Sequence, residues 1–131
     1  MFSTAGGRGP IPDDFLNGQV TRSAITFGSL DSPLPGQTLT IGWFSGYALS
    51  PHGVREVNLL FNNGAIRYPA FLFGDSSLSN TFSWYPASKP RFAREFRSRP
   101  PGVWPSTDVQ VEIVDGRGHR TRLEDRWIEW K

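Results

Sequence analysis

Between Val54 and Phe61 the chain alternates, with Val57, Leu59 and Phe61 on one parity and Glu56 and Asn58 on the other. A strand with one buried face needs that period of two. The same period runs through residues 107–115, "TDVQVEIVD", which places Val109, Val111 and Ile113 inward. In residues 38–49, "TLTIGWFSGYAL", the large side chains Leu39, Ile41, Trp43 and Tyr47 share a parity and are expected to face the core. Gly42 and Gly46 fall on the other parity, where glycine marks a bend or the close approach of another backbone. Residues 19–27 alternate roughly and predict a first strand, which "GSLDSPLPGQ" (28–37) then breaks. A return strand is expected over 65–73, with Pro69 arguing for an edge or a bulge. A short strand is expected at 81–85, and "HRTRLEDRWIEW" reads as the last strand. Pro90 stands at the entrance of one expected helical turn, Arg91 to Phe96.

Turn chemistry punctuates these segments. "SPHG" (50–53) has the serine, proline and glycine of a type I turn, and Asn63-Gly64 suits the positive φ angles of a type I′ hairpin. "GRG" (116–118) forms a third turn. Seven or so strands, little helix and a turn about every ten residues predict an all-β antiparallel β-sandwich, with a partly open barrel as the alternative. Residues 1–17 read as a flexible or docking arm and 18–131 as the sandwich.

Composition agrees. The chain has 131 residues, enough for one core. Its apolar supply is rich in rings, at 14% aromatic, and its 14 glycines and 11 prolines disfavour helix. There is no cysteine, which excludes disulfides and thiolate metal sites. No segment has the form of a signal peptide or the length of a membrane span, so the chain reads as soluble. The net charge of +2 is not by itself that of a nucleic-acid-binding protein.

"DSPLPGQTL", "FSGYALSPHGVREVNLLFNNG", "YPASKPRF" and "VQVEIVDGRGHRTRL" together resemble a bacterial immunoglobulin-like β-sandwich module. Such modules are appended to membrane glycosyltransferases of the protein-mannosyltransferase type and to other envelope proteins. The resemblance covers about residues 30–123. Gly46, Tyr47, Ala48 and Leu49 match its Gly-Trp-Ala-Leu, Gly53, Val54 and Val57 its turn and strand, and Asp115 and Gly118 its final turn. These are structural positions, so no catalytic or binding residue carries over. The resemblance implies an extracytoplasmic accessory domain of the periplasm or cell envelope.

Candidate chemistry is sparse. His52 and His119 sit in turns with no nucleophile or orienting carboxylate beside them. Adjacent Glu124 and Asp125 point to opposite faces of a strand, and Asp13-Asp14 belongs to the arm. Asp75 and Asp115 lack the repeated acidic spacing of a calcium loop. No catalytic residue, metal or cofactor is expected. Residues 83–104 stand out, because Lys89, Arg91, Arg94, Arg97 and Arg99 face only Glu95 and are interleaved with Trp84, Tyr85, Phe92, Phe96 and Trp104.

Three readings compete for that segment. In the first, Phe92 and Phe96 pack a helical turn on the sandwich while arginine stems cover its rim. In the second, Trp84, Tyr85, Lys89, Arg91, Arg94, Arg97, Arg99 and Trp104 hold an anionic glycan or a lipid headgroup. Single-stranded nucleic acid ranks last, since the rest of the chain is net negative and would repel phosphate. The expected function is a non-catalytic accessory module that binds envelope glycan or positions a parent enzyme. The alternative is an assembly protein that engages a protein partner through its arm.

Overall fold

Val57, Leu59 and Phe61 are fully buried, as are Val109 and Ile113, with Val111 nearly so. The two clearest alternating segments are therefore the centre of the core. In the computed structural model, which describes residues 25–131, they are neighbouring antiparallel strands, β4 (Val54–Phe61) and β8 (Ser106–Asp115). The remaining strands are β1 (Phe27–Ser32), β2 (Thr38–Leu39), β3 (Gly42–Leu49), β5 (Ile66–Pro69), β6 (Phe71–Phe73), β7 (Arg91–Phe96), β9 (Arg120–Arg122) and β10 (Arg126–Trp130). One helix, α1 (Ser76–Thr81), lies between β6 and β7. The expected arm at 1–17, and the expected first strand up to residue 24, lie outside the described residues.

Two sheets form the sandwich. The smaller has the order β1-β3-β7-β6, and the larger β2-β10-β8-β4-β5, with β9 also on β8. Pairing is antiparallel except for β2 beside β10. In immunoglobulin lettering the first sheet is A-B-E-D and the second carries C, F and G, which is the immunoglobulin arrangement. Strand A crosses from one sheet to the other between β1 and β2, through a cis Ser32–Pro33 bond. The expected return strand also divides, β5 ending at Pro69 on the edge of one sheet and β6 starting at Phe71 on the edge of the other. The expected last strand divides too, into β9 and β10, with Leu123 N–H still donating to the Val111 carbonyl between them.

The core is aromatic where a disulfide would otherwise close such a sandwich. Phe44 meets Phe61 and Phe96 edge-on at 5.6 and 5.7 Å, and Trp130 at 6.1 Å. A second cluster of Phe27, Tyr47, Leu49, Phe82 and Tyr85 lies on the outer side of the smaller sheet, under α1 and the segment that follows it.

Four expectations are corrected. The parity of β3 is inverted: Phe44 and Ala48 face the main core, while Ile41 and Trp43 are exposed. The glycines point inward because other groups already fill their space. A Cβ on Gly46 would stand 1.9 Å from the Ser29 carbonyl oxygen, and one on Gly42 2.5 Å from the Trp130 ring. Residues 91–96 are a strand and not a helical turn, since a spacing of four also keeps Phe92 and Phe96 on one strand face. The expected strand at 81–85 is replaced by α1, which Asp75 caps by accepting from Ser77 N–H at 2.9 Å and Leu78 N–H at 3.3 Å, and by the turns after it. The first strand starts at Phe27 and uses Gly28–Ser32, residues expected to break the chain.

Candidate functional site

Strand β7 decides what becomes of the arginine-rich segment. Successive side chains of a strand point to opposite faces, and β7 pairs with β3 so that Phe92, Arg94 and Phe96 lie opposite Gly46, Phe44 and Gly42, on the interior side. Arg94 therefore enters the seam between the sheets. Its guanidinium lies 4.8 Å from the Phe96 ring centroid and 5.6 Å from that of Tyr68, and it donates to the Pro69 carbonyl at 2.7 Å.

Arg91, Ala93 and Glu95 take the outer face. Arg91 donates from Nε to Asp75 at 2.8 Å and from Nη1 to Asp31 at 3.2 Å. Its hydrogen bond holds the Asp75 carboxyl below the usual carboxylate range, with the Leu78 N–H helping. Arg99 donates to the Val103 carbonyl. Lys89 and Arg97 are exposed in the segments that flank β7.

The rings of that segment separate as well. Tyr85 is buried, its hydroxyl donating to the Ile25 carbonyl at 2.9 Å, and burial raises its pKa. Trp84 is partly exposed beside Phe82 and Tyr85. Trp104 is exposed near the far end of β8, where its backbone N–H donates to Asn62 Oδ1 at 2.9 Å. Of the eight residues expected to form one site, the structure leaves Arg91 on the outer face of the smaller sheet and distributes the others elsewhere.

That face holds a different set of rings. Phe71 and Phe73 on the edge strand β6 lie opposite Ala93 and Arg91, and Trp43 on β3 lies opposite Glu95, all on the outer side. Phe71 is 72% exposed, Trp43 50% and Phe73 38%. The two phenylalanine rings lie nearly parallel, with centroids 6.5 Å apart. Ser45 and Ala93 form a small-residue floor between Trp43 and β6, about 10 Å across at the ordinary strand spacing.

The other end of the face is closed by α1 and the second cluster. There the Tyr47 hydroxyl is buried with no hydrogen-bond partner, and its pKa is pushed up to about 12 by burial and by the Asp31 charge, with Arg91 opposing. Sequence parity missed Trp43 because it was expected inward. The signal that could have found the other two is Phe71 and Phe73 flanking Leu72 directly after an edge-marking proline.

The remaining polar groups are structural. Asp115 accepts from Arg117 N–H and His119 N–H, both at 2.9 Å, which shapes the turn that ends at Gly118. Glu112, buried on the outer side of the larger sheet, accepts from Asn58, Arg67 and Arg120. Among the described residues no three His, Cys, Asp or Glu side chains come together as metal ligands, and no helix is long and apolar enough to cross a membrane.

No family model matches the chain, and neither does any curated protein. Among solved structures it is similar to the crystal structure of an engineered protein from the Northeast Structural Genomics Consortium, with a TM-score of 0.48 at 9% identity. The match covers 83% of this chain and 21% of that one. Likeness at this level carries no functional argument.

Proposed function

We propose that this chain is a non-catalytic, immunoglobulin-like accessory module that binds glycan through the outer face of its smaller sheet. The observation that carries the reading is the placement of Trp43, Phe71 and Phe73, which leave apolar ring surface in water on a flat, small-residue floor. Exposed apolar surface bordered by polar groups marks an interaction site. The C–H groups on the face of a pyranose ring suit the negative face of an aromatic ring, while its hydroxyls reach the polar border. The resemblance to modules appended to envelope glycosyltransferases supports an extracytoplasmic setting, in which the module holds a parent enzyme near its polymer.

Affinity electrophoresis through gels containing soluble polysaccharides tests the reading. Retardation is expected for the native chain and is lost in the Trp43→Ala, Phe71→Ser double variant, whose changes lie outside the core. Equal mobility of native and variant protein in every gel overturns it. A sedimentation mass above 14.7 kDa that falls in the same variant would make these rings a protein contact instead.

A further inference from the structure

We infer that the glycan taken by this face is uncharged, and that Glu95 is the residue that selects against acidic sugars. The inference rests on the glycan-binding reading above. Trp43 and Glu95 are direct cross-strand partners on the outer face, and such partners have Cβ atoms about 4.5–5.5 Å apart. Both are exposed, and Glu95 has no hydrogen bond or ion pair among the described residues.

An ionised carboxylate only accepts hydrogen bonds. Beside a ring that stacks a pyranose, it takes hydroxyl protons in charge-assisted bonds. The same carboxylate repels a uronate or a phosphate brought to that position.

No free guanidinium on the face offsets this. Arg91 is occupied by Asp75 and Asp31, and Arg94 lies on the interior side of the strand. The charged groups at the face among the described residues are thus Asp31, Asp75 and Glu95 against Arg91 alone. Lys89 and Arg97 belong to the segments before and after β7. The arginine content that suggested an anionic ligand in the sequence does not reach the rings that would stack it.

The test compares uncharged polymers (hydroxyethyl cellulose, galactomannan and glycol chitin) with polygalacturonate in affinity gels at low and at high salt, using native protein and Glu95→Gln. The native chain is expected to be retarded by at least one uncharged polymer and at least about tenfold less by polygalacturonate at low salt. Glu95→Gln should weaken retention on the uncharged polymer several-fold and narrow the gap to polygalacturonate. Equal or stronger retention of native protein on polygalacturonate overturns the inference and leaves glycan binding standing, as does an unchanged ratio in Glu95→Gln. Absence of retention in every gel is a different failure, that of the glycan reading itself.

Discussion

Asn62 stands at the tip of the β4–β5 hairpin with φ +56°, and its side chain is a hub for the neighbouring loop. Its Nδ2 donates to the Gly102 carbonyl at 2.8 Å, and its Oδ1 accepts from Trp104 N–H at 2.9 Å and from the Thr107 hydroxyl at 3.3 Å. Asn62→Ala removes all three and leaves a partly buried N–H and C=O without their partners, a loss of about 2–4 kcal/mol. The left-handed backbone adds about 1 kcal/mol, because alanine lacks the local tolerance of asparagine for that region. The sum of about 3–5 kcal/mol is a large share of the ~5–15 kcal/mol expected of a domain.

Asn62→Gly separates the two contributions. It loses the same hydrogen bonds but accepts a positive φ freely, so it should be about 1 kcal/mol more stable than the alanine variant, the reverse of their usual order. Urea unfolding followed by tryptophan fluorescence reads both. With a slope of about 1–3 kcal/mol per molar, the alanine midpoint should fall by roughly 2 M. An alanine variant within about 1 kcal/mol of the native chain, or one more stable than the glycine variant, refutes the reasoning.

Gly46→Ala should shift the β1–β3 pair apart, because its methyl would meet the Ser29 backbone; a cost of about 1–3 kcal/mol or more is expected in the same assay. Arg94→Met, which keeps the stem but loses the ring contacts and the Pro69 bond, should cost about 1–2 kcal/mol, while Arg97→Ala should stay within about 0.5 kcal/mol of the native chain. Burial would raise the pKa of Glu112, but hydrogen bonds from Asn58 and Arg67 and the charges of Arg67 and Arg120 outweigh it and hold the carboxyl below its ordinary value. A carboxyl depressed in the folded state stabilises above the unfolded value of about 4.3 and loses that contribution as pH falls through the folded value. The stability gap between native protein and Glu112→Gln should therefore be about 2 kcal/mol at pH 7 and shrink below pH 4, as measured by urea unfolding across pH; a gap independent of pH would contradict this.

The strands that alternate with one face in water were legible. Val57, Leu59, Phe61, Val109, Val111 and Ile113 sit where their period puts them, because burying either other parity would have buried Glu56 or Gln110 instead. Strand β3 was not legible, since the choice of its inner face depends on what the opposite sheet supplies. Trp130 and Phe92 fill the room above Gly42 and Gly46, so the larger side chain of Trp43 is displaced to the surface. The hairpin tip was misplaced by one residue. Its hydrogen bond runs from Gly64 N–H to the Phe61 carbonyl, so the two central positive-φ residues are Asn62 and Asn63. Helix α1 left a signal in Asp75-Ser76-Ser77-Leu78, an N-cap followed by an apolar residue, but at six residues it had too little periodicity to stand out.

The arginine-rich segment shows why residue types alone misdirect a search for a site. Arg91, Arg94 and Arg97 recur at a spacing of three, which on a helix would stack them on one side as a cationic patch. On a strand a spacing of three reverses the face each time. Once cross-strand hydrogen bonds to β3 make β7 extended, Arg91 goes outward to its carboxylates and Arg94 inward over Phe96. Phe92 and Phe96, at the even spacing of four, remain together in the core. The rings left for a ligand are then those that parity assigns outward on neighbouring strands, Trp43 and the pair Phe71 and Phe73, and the charge beside Trp43 is the carboxylate of Glu95. A face assembled in this way favours a hydroxyl-rich, uncharged partner over the polyanion that the linear sequence suggested.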